Sequence, residues 1–219
     1  MSVIERPGPL GPADISPQEP QRFVFQGVDW DFYHYVSDKL PEQRAFITYY
    51  KGRLEIVTVG FLHQRLVALI SQLIWVLAEE SGTEMIDAGM STLRREDANV
   101  ALEPDCSFYT GHHEQMRQRK EIDLAHVPPP DLAIEVKVTR RLSERRSIYR
   151  EIGVPEIWLY NEPAGLTILT RRGDGYAPAE HSPTFPQLAA PELNALIKSG
   201  LERGGIAGIK SLRSRLHQV

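Results

Sequence analysis

The chain has 219 residues, 42% hydrophobic and 25% charged, with a formal net charge of -4 and one cysteine. That composition fits a globular protein with one sizeable core, and its negative balance excludes a generally basic nucleic-acid binder. Any nucleic-acid contact must therefore come from a local basic patch.

Cys106 has no intrachain disulfide partner, and its place in an apolar run reads as a small buried thiol. Neither CxxC nor HExxH occurs, which argues against structural or protease-type zinc. The N-terminus has no basic start followed by an apolar segment, and no apolar run reads as a membrane span. The cytoplasm is the expected location.

Residues 1–21 hold Pro7, Pro9, Pro12, Pro17 and Pro20 and read as a flexible arm. Asp29 to Leu40 has helical spacing, with Phe32, Val36 and Leu40 on one side and Asp29 as N-cap. Two β-rich runs, Ala45 to Tyr50 and Arg53 to Thr58, flank Lys51-Gly52 and predict a hairpin. Phe61 to Glu80 carries the widest apolar stripe (Leu62, Leu66, Leu69, Leu73, Ile74, Leu77) and predicts a helix ended by Gly82.

Glu84 to Arg95 and Ala101 to Tyr109 are expected to be two strands, and residues 111–127 a polar excursion. Pro130 to Lys137 reads as a buried strand, and Ser143 to Ile152 as a helix stopping at Gly153 and Pro155. Then follow a strand over Glu156 to Tyr160, an antiparallel pair over Leu166 to Thr170 and Tyr176 to Glu180, and a helix over Pro191 to Leu201. Residues 203–219 are expected to be a basic tail, leaving residues 22–202 as the domain. The order from Phe61 predicts an α/β fold around a mixed sheet flanked by helices, with an added N-terminal β-hairpin.

Charge inside the Pro130 to Lys137 strand needs compensation, because an unpaired buried carboxylate or ammonium is costly. Glu135 and Lys137 are two apart and share a strand face. If the Asp105 strand lies alongside, Asp105 and Glu135 converge on one cation beside Lys137. The Val136 carbonyl is a candidate third oxygen, and Mg²⁺ or Mn²⁺ suits such a donor set. Phosphodiester hydrolysis needs that charge relief and an oriented water, which Lys137 would supply. The competing reading of Glu135 and Lys137 alone is a structural ion pair on a sheet edge.

Pro104-Asp105 with Glu135-Val136-Lys137 matches the literal pattern of the PD-(D/E)XK nuclease superfamily, whose common core is helix, three strands, helix, strand. More narrowly, the chain resembles the restriction-endonuclease-like Uma-two family. The resemblance rests on Gly52-Arg53-Leu54-Glu55-Ile56 leading to His63, on Ser91 to Arg95, on Leu102 to Asp105, on Pro129 to Val136, and on Tyr149 to Trp158. It implies a restriction-endonuclease-like sheet, a Mg²⁺- or Mn²⁺-dependent DNA endonuclease activity, and self-association, most simply as a homodimer. Gln64 stands where the family often has glutamate. Arg145 stands where many members carry a lysine on the helix, four residues before a tyrosine, while this chain's lysine is at Lys137.

The expected site is therefore Asp105, Glu135, Lys137 and His63, with Glu55 and Glu103 as accessory carboxylates. Glu103, two before Asp105, is read on the same strand face. Arg141 and Arg145 are expected to touch backbone phosphates, against the alternative of a solvated helix face. Tyr149 is expected to pack. The alternatives to a DNA endonuclease are a nuclease-fold binding or assembly module without turnover and a hydrolase of another phosphate ester.

Overall fold

The computed structural model describes residues 21–40, 45–137, 143–162 and 164–217. The expected N-terminal arm falls almost wholly outside the described residues, and Arg140 and Arg141 fall outside them as well.

β1 (Arg22–Gln26) leads into α1 (Trp30–Lys39), which Asp29 caps by accepting a hydrogen bond from the Phe32 amide. β2 (Ala45–Tyr50) and β3 (Arg53–Thr58) form the expected hairpin. Lys51 and Gly52 both have positive φ, 46° and 91°, as a two-residue turn matched to strand twist requires. α2 (Phe61–Ser81) ends at Gly82, in the left-handed region at φ 66°. β4 (Ile86–Asp87), β5 (Leu93–Arg95), β6 (Val100–Leu102), β7 (Cys106–Tyr109), the short α3 (His113–Met116) and β8 (Leu132–Lys137) follow. α4 (Ser143–Ile152), β9 (Glu156–Asn161), β10 (Gly165–Arg172), β11 (Gly175–Ala179), α5 (Ala190–Arg203) and α6 (Gly205–Leu216) complete the chain.

Two sheets result. The first is antiparallel in the order β1-β3-β2-β6-β5, and the second is mixed in the order β11-β10-β9-β8-β7-β4. In the second sheet only β8 and β9 run parallel, joined through α4. Reading α2, β4, β7, β8, α4, β9 along that sheet recovers the helix, three strands, helix, strand order.

The two strands expected over Glu84 to Arg95 and Ala101 to Tyr109 are each broken in two. β4 and β7 belong to the mixed sheet, whereas β5 and β6 belong to the antiparallel one. The second break falls at Pro104, which has no N–H to give a ladder. The chain crosses between sheets at Glu103-Pro104-Asp105, and this crossing positions the site.

Alternate residues of β8 serve the two faces of the mixed sheet. Leu132, Ile134 and Val136 pack with α2, α5 and α6, while Ala133 faces Ile148, Tyr149 and Ile152 of α4. The same inner cluster contains Leu93, Val100 and Leu102 of the antiparallel sheet, so α4 is wedged between the two sheets. On the far side of the antiparallel sheet, Tyr33 packs with Ile47, Tyr49 and Leu54.

Tyr33, not Phe32, is the buried member of the α1 stripe; Phe32 is 40% exposed. Tyr33 wins because its ring stacks on Tyr49 and against Trp30. The expected basic tail is the helix α6, with Leu212 buried in the main core and Arg213 paired with Glu79 and Glu80 of α2. Contrary to the expectation that no segment could cross a membrane, α2 is long and apolar enough to do so by length and composition. Half of its most apolar window is buried within the fold.

α5 approaches α2 closely at Gly200, where an added Cβ would lie 2.7 Å from Leu69 Cδ2. Gly200→Val is expected to lower stability by about 2 kcal/mol through overpacking, read as a lower urea midpoint. An unchanged midpoint would mean that this contact yields.

Candidate active site

Asp105 brackets Glu135. Its amide donates to the Ile134 carbonyl at 3.1 Å, and its Oδ2 accepts from the Val136 amide at 2.6 Å. Its Oδ1 lies 3.1 Å from His63 Nε2, on the first turn of α2. One carboxylate is thus fixed by β8 on one side and by α2 on the other. Asp105, Glu135 and His63 are 6%, 3% and 8% exposed.

Glu135 shares the inner face with Ala133 and meets α4. Its Oε1 accepts from Arg145 Nη2 at 2.6 Å and Nε at 3.0 Å, and from the Tyr149 hydroxyl at 2.5 Å. Arg145 and Tyr149 are one helical turn apart, so one face of α4 presents both donors. Arg145 also donates to Thr48 Oγ1 of β2 at 2.8 Å and to the Glu103 carbonyl at 2.6 Å. A single guanidinium therefore ties together the antiparallel sheet, the Pro104 crossing and the mixed sheet. Charge-assisted contacts of this number are what a buried carboxylate needs.

Electrostatics follow from that packing. Burial lowers the Lys137 pKa, and Arg145 adds to the effect, while Glu135, Asp105 and Glu55 oppose it. Burial and Glu135 hold the Tyr149 hydroxyl well above the ordinary tyrosine range, so it remains a donor. Burial opposes charge on Arg145, but the carboxylates around it outweigh that and raise its pKa.

The structure brings Asp105, Glu135, His63 and Lys137 into one locality and corrects several other expectations. Arg145 is not on a phosphate-facing surface; its donors are engaged inside the fold because Glu135 would otherwise be buried unpaired. Glu103 does not share a strand face with Asp105, since Pro104 breaks the strand between them. Its carboxylate instead accepts from the Ile47 amide and Thr92, and burial raises its pKa. Both oxygens of Glu55 accept from Arg22; burial opposes its charge, but Arg22, Arg53 and Lys137 hold its pKa down. Tyr149 packs, as expected, yet its hydroxyl also serves the site. Sequence reasoning missed that role and the clasp role of Arg145, although their i, i+4 spacing was a usable signal. His112 pairs with Asp131, and His113 with the Thr110 carbonyl. Cys106 is buried, and burial pushes its thiol up to about 12.

Among the described residues, no group of three or more His, Cys, Asp or Glu side chains could hold a metal. Asp105 and Glu135 are brought together instead through the backbone of β8, by the Asp105 bonds to Ile134 and Val136. The Val136 amide that reaches Asp105 marks the edge of β8 to which its own carbonyl also points. Asp105, Glu135 and the Val136 carbonyl fit Mg²⁺, which takes oxygen from one or two carboxylates and keeps several waters.

A mixed sheet in the order helix, three strands, helix, strand, with one carboxylate on its central strand β8 and a second at the entry to the neighbouring β7, defines a restriction-endonuclease-like protein. The Uma2 family model, described as "Putative restriction endonuclease", matches residues 32–203, and the chain belongs to that family. A solved structure titled as "a putative nuclease belonging to DUF820 from Anabaena variabilis ATCC 29413" is similar at 17% identity and a TM-score of 0.47. That alignment covers 81% of this chain and 95% of the other. No curated protein matches the chain.

Proposed function

We propose that this protein is a metal-dependent endonuclease that hydrolyses DNA phosphodiester bonds, with Asp105, Glu135 and Lys137 at its centre. The observation that carries this reading is the bracketing of Glu135 by Asp105, with Lys137 on the same strand face as Glu135. Asp105, Glu135 and the Val136 carbonyl would hold Mg²⁺ or Mn²⁺. When bound, such a cation supplies charge relief to the phosphate and lowers the pKa of a coordinated water. His63 fixes Asp105, and Arg145 with Tyr149 fix Glu135, so both carboxylates are held before substrate arrives. Lys137 places positive charge where the phosphate gains negative charge.

The test is plasmid nicking by the full chain with Mg²⁺ or Mn²⁺ and with EDTA. Cleavage with either metal and none with EDTA supports the reading; no cleavage with either metal contradicts it. A second reading, a DNA-binding module without turnover, draws on the Arg145 cation already paired with Glu135. DNA binding with no metal-dependent cleavage would support it.

We propose further that two copies associate, because cutting both strands of a duplex is easiest with two symmetric sites. β1, an edge strand with Phe23 and Phe25 exposed, is a candidate contact surface. Sedimentation at micromolar concentration is expected to give a dimer, and a monomer alone would remove this proposal.

A further inference from the structure

A chain of net charge -4 needs a local basic patch to meet DNA, and Arg145 does not supply one, because it is engaged with Glu135. The inner face of the antiparallel sheet does. In β3, Leu54 belongs to the cluster around Tyr33, so Arg53 and Glu55 turn to the opposite face. Glu55 stands directly across the ladder from Thr48 of β2, whose hydroxyl accepts from Arg145. Cross-strand partners share a face, so Glu55 lies on the same side of the sheet as the clasp on Glu135.

Val24 of β1 pairs with Glu55 on its other side, which puts Arg22, two residues away, on this face as well. Arg22 grips Glu55 through Nε and Nη2, both at 2.7 Å, and Arg53 Nη2 lies 3.6 Å from Glu55 Oε2. Burial opposes charge on Glu55, but Arg22, Arg53 and Lys137 hold its pKa down, so Lys137 is within electrostatic reach of the group. The buried cluster against α4 takes Leu93 of β5 and Val100 and Leu102 of β6, and no described residue of β3 or β1. The face is thus open where these three side chains sit: Arg22, Glu55 and Arg53 are 38%, 22% and 20% exposed.

Two guanidiniums around one carboxylate leave a positive charge over, on the same side as the Lys137 ammonium. A guanidinium fork matches carboxylate and phosphate alike, with two parallel N–H donors. Glu55 therefore holds Arg22 in the geometry that a phosphate would demand.

We infer that Arg22 and Arg53 clamp a DNA backbone phosphate flanking the scissile one, and that Glu55 occupies its place until DNA arrives. Glu55 is then a stand-in anion that aligns the clamp and competes with the substrate. This deepens the nuclease reading and rests on it for the identity of the bound strand. The rival role for the same residues is a staple joining β1 to β3, and the two roles differ in sign at Glu55.

The experiment measures binding in EDTA, so that turnover does not enter. A fluorescein-labelled DNA duplex is titrated, over a series of salt concentrations, with full-length wild type, Arg22→Gln, Arg53→Gln, Glu55→Gln and Lys198→Gln. Lys198 is exposed on α5, across the mixed sheet from the clamp, and serves as the control. Each arginine variant is expected to bind about fivefold more weakly and to reduce the slope of log K against log salt by about 0.9. Glu55→Gln should bind about fivefold more tightly, because the competing anion is gone. Lys198→Gln should match wild type. A staple gives the opposite result at Glu55: with the pairing broken, Glu55→Gln would bind as weakly as the arginine variants, which would overturn the clamp. Arginine variants that bind within about twofold of wild type would overturn it as well, as would wild type that binds no duplex. Plasmid nicking with Mg²⁺ keeps the two readings separate. Wild type that nicks while the arginine variants bind as it does sinks the clamp alone. Arginine-dependent binding without nicking supports the clamp and sinks the nuclease.

Discussion

Lys137→Ala is expected to lower DNA cleavage by about 100-fold or more while leaving Mn²⁺ affinity unchanged or higher. An ammonium cannot ligate a cation, so its removal takes nothing from the metal and relieves a like charge nearby. What is lost is positive charge at the phosphate. Lys137→Arg should rescue poorly, because a broad planar guanidinium keeps the charge but does not place it where a compact ammonium does. Because burial lowers the Lys137 pKa, its positive charge is lost at lower pH than that of an exposed lysine. The wild-type rate is therefore expected to fall as pH rises, beginning below the ordinary lysine range, a decline that Lys137→Arg does not show. Cleavage by Lys137→Ala at the wild-type rate would pass the role to Arg145 or His63.

Arg145→Met is expected to destabilise the fold by about 3 kcal/mol, measured by urea unfolding. The loss arises because Glu135, almost fully buried, loses the cation that pairs with it. Thr48 and the Glu103 carbonyl lose a donor at the same time. Adding Glu135→Gln to Arg145→Met should recover part of the loss, since the uncompensated charge is then gone; this coupling separates the ion pair from simple packing. Arg145→Met should also bind Mn²⁺ more tightly than wild type, because a cation no longer competes for Glu135. A loss under about 0.5 kcal/mol would show that the clasp is not structural.

Much of this fold was legible because the signals were local. Lys51-Gly52 sets the hairpin register through its positive φ angles, and the long stripe of α2 admits only a helix. The Asp105 and Glu135 positions stood out as charges among buried residues. What was not legible depended on partners distant in sequence. Ala101 to Tyr109 is buried throughout its strand portions, so its apolar run concealed that β6 and β7 join different sheets. Pro104 was the cue, since a residue without an N–H sits poorly inside a ladder. β1 went unread because its partner β3 lies about thirty residues away and none of its residues is buried. α6 looked like a tail because its glycines weaken helix propensity. Those glycines let it approach α5, with Gly208 close to the Gly200 backbone. Arg145 was hidden among neighbouring arginines of identical charge, and only the fold shows that it turns inward.

The central claim is that Asp105 and Glu135 together hold one divalent cation on which DNA cleavage depends. The most direct measurement is calorimetric titration of Mn²⁺ into wild type, Asp105→Ala and Glu135→Ala, with plasmid nicking followed on the same samples. Circular dichroism on each confirms that the variants are folded. Wild type is expected to bind one Mn²⁺ per chain and to nick DNA, and each folded alanine variant to lose both. Folded variants that bind Mn²⁺ as wild type does would contradict the account.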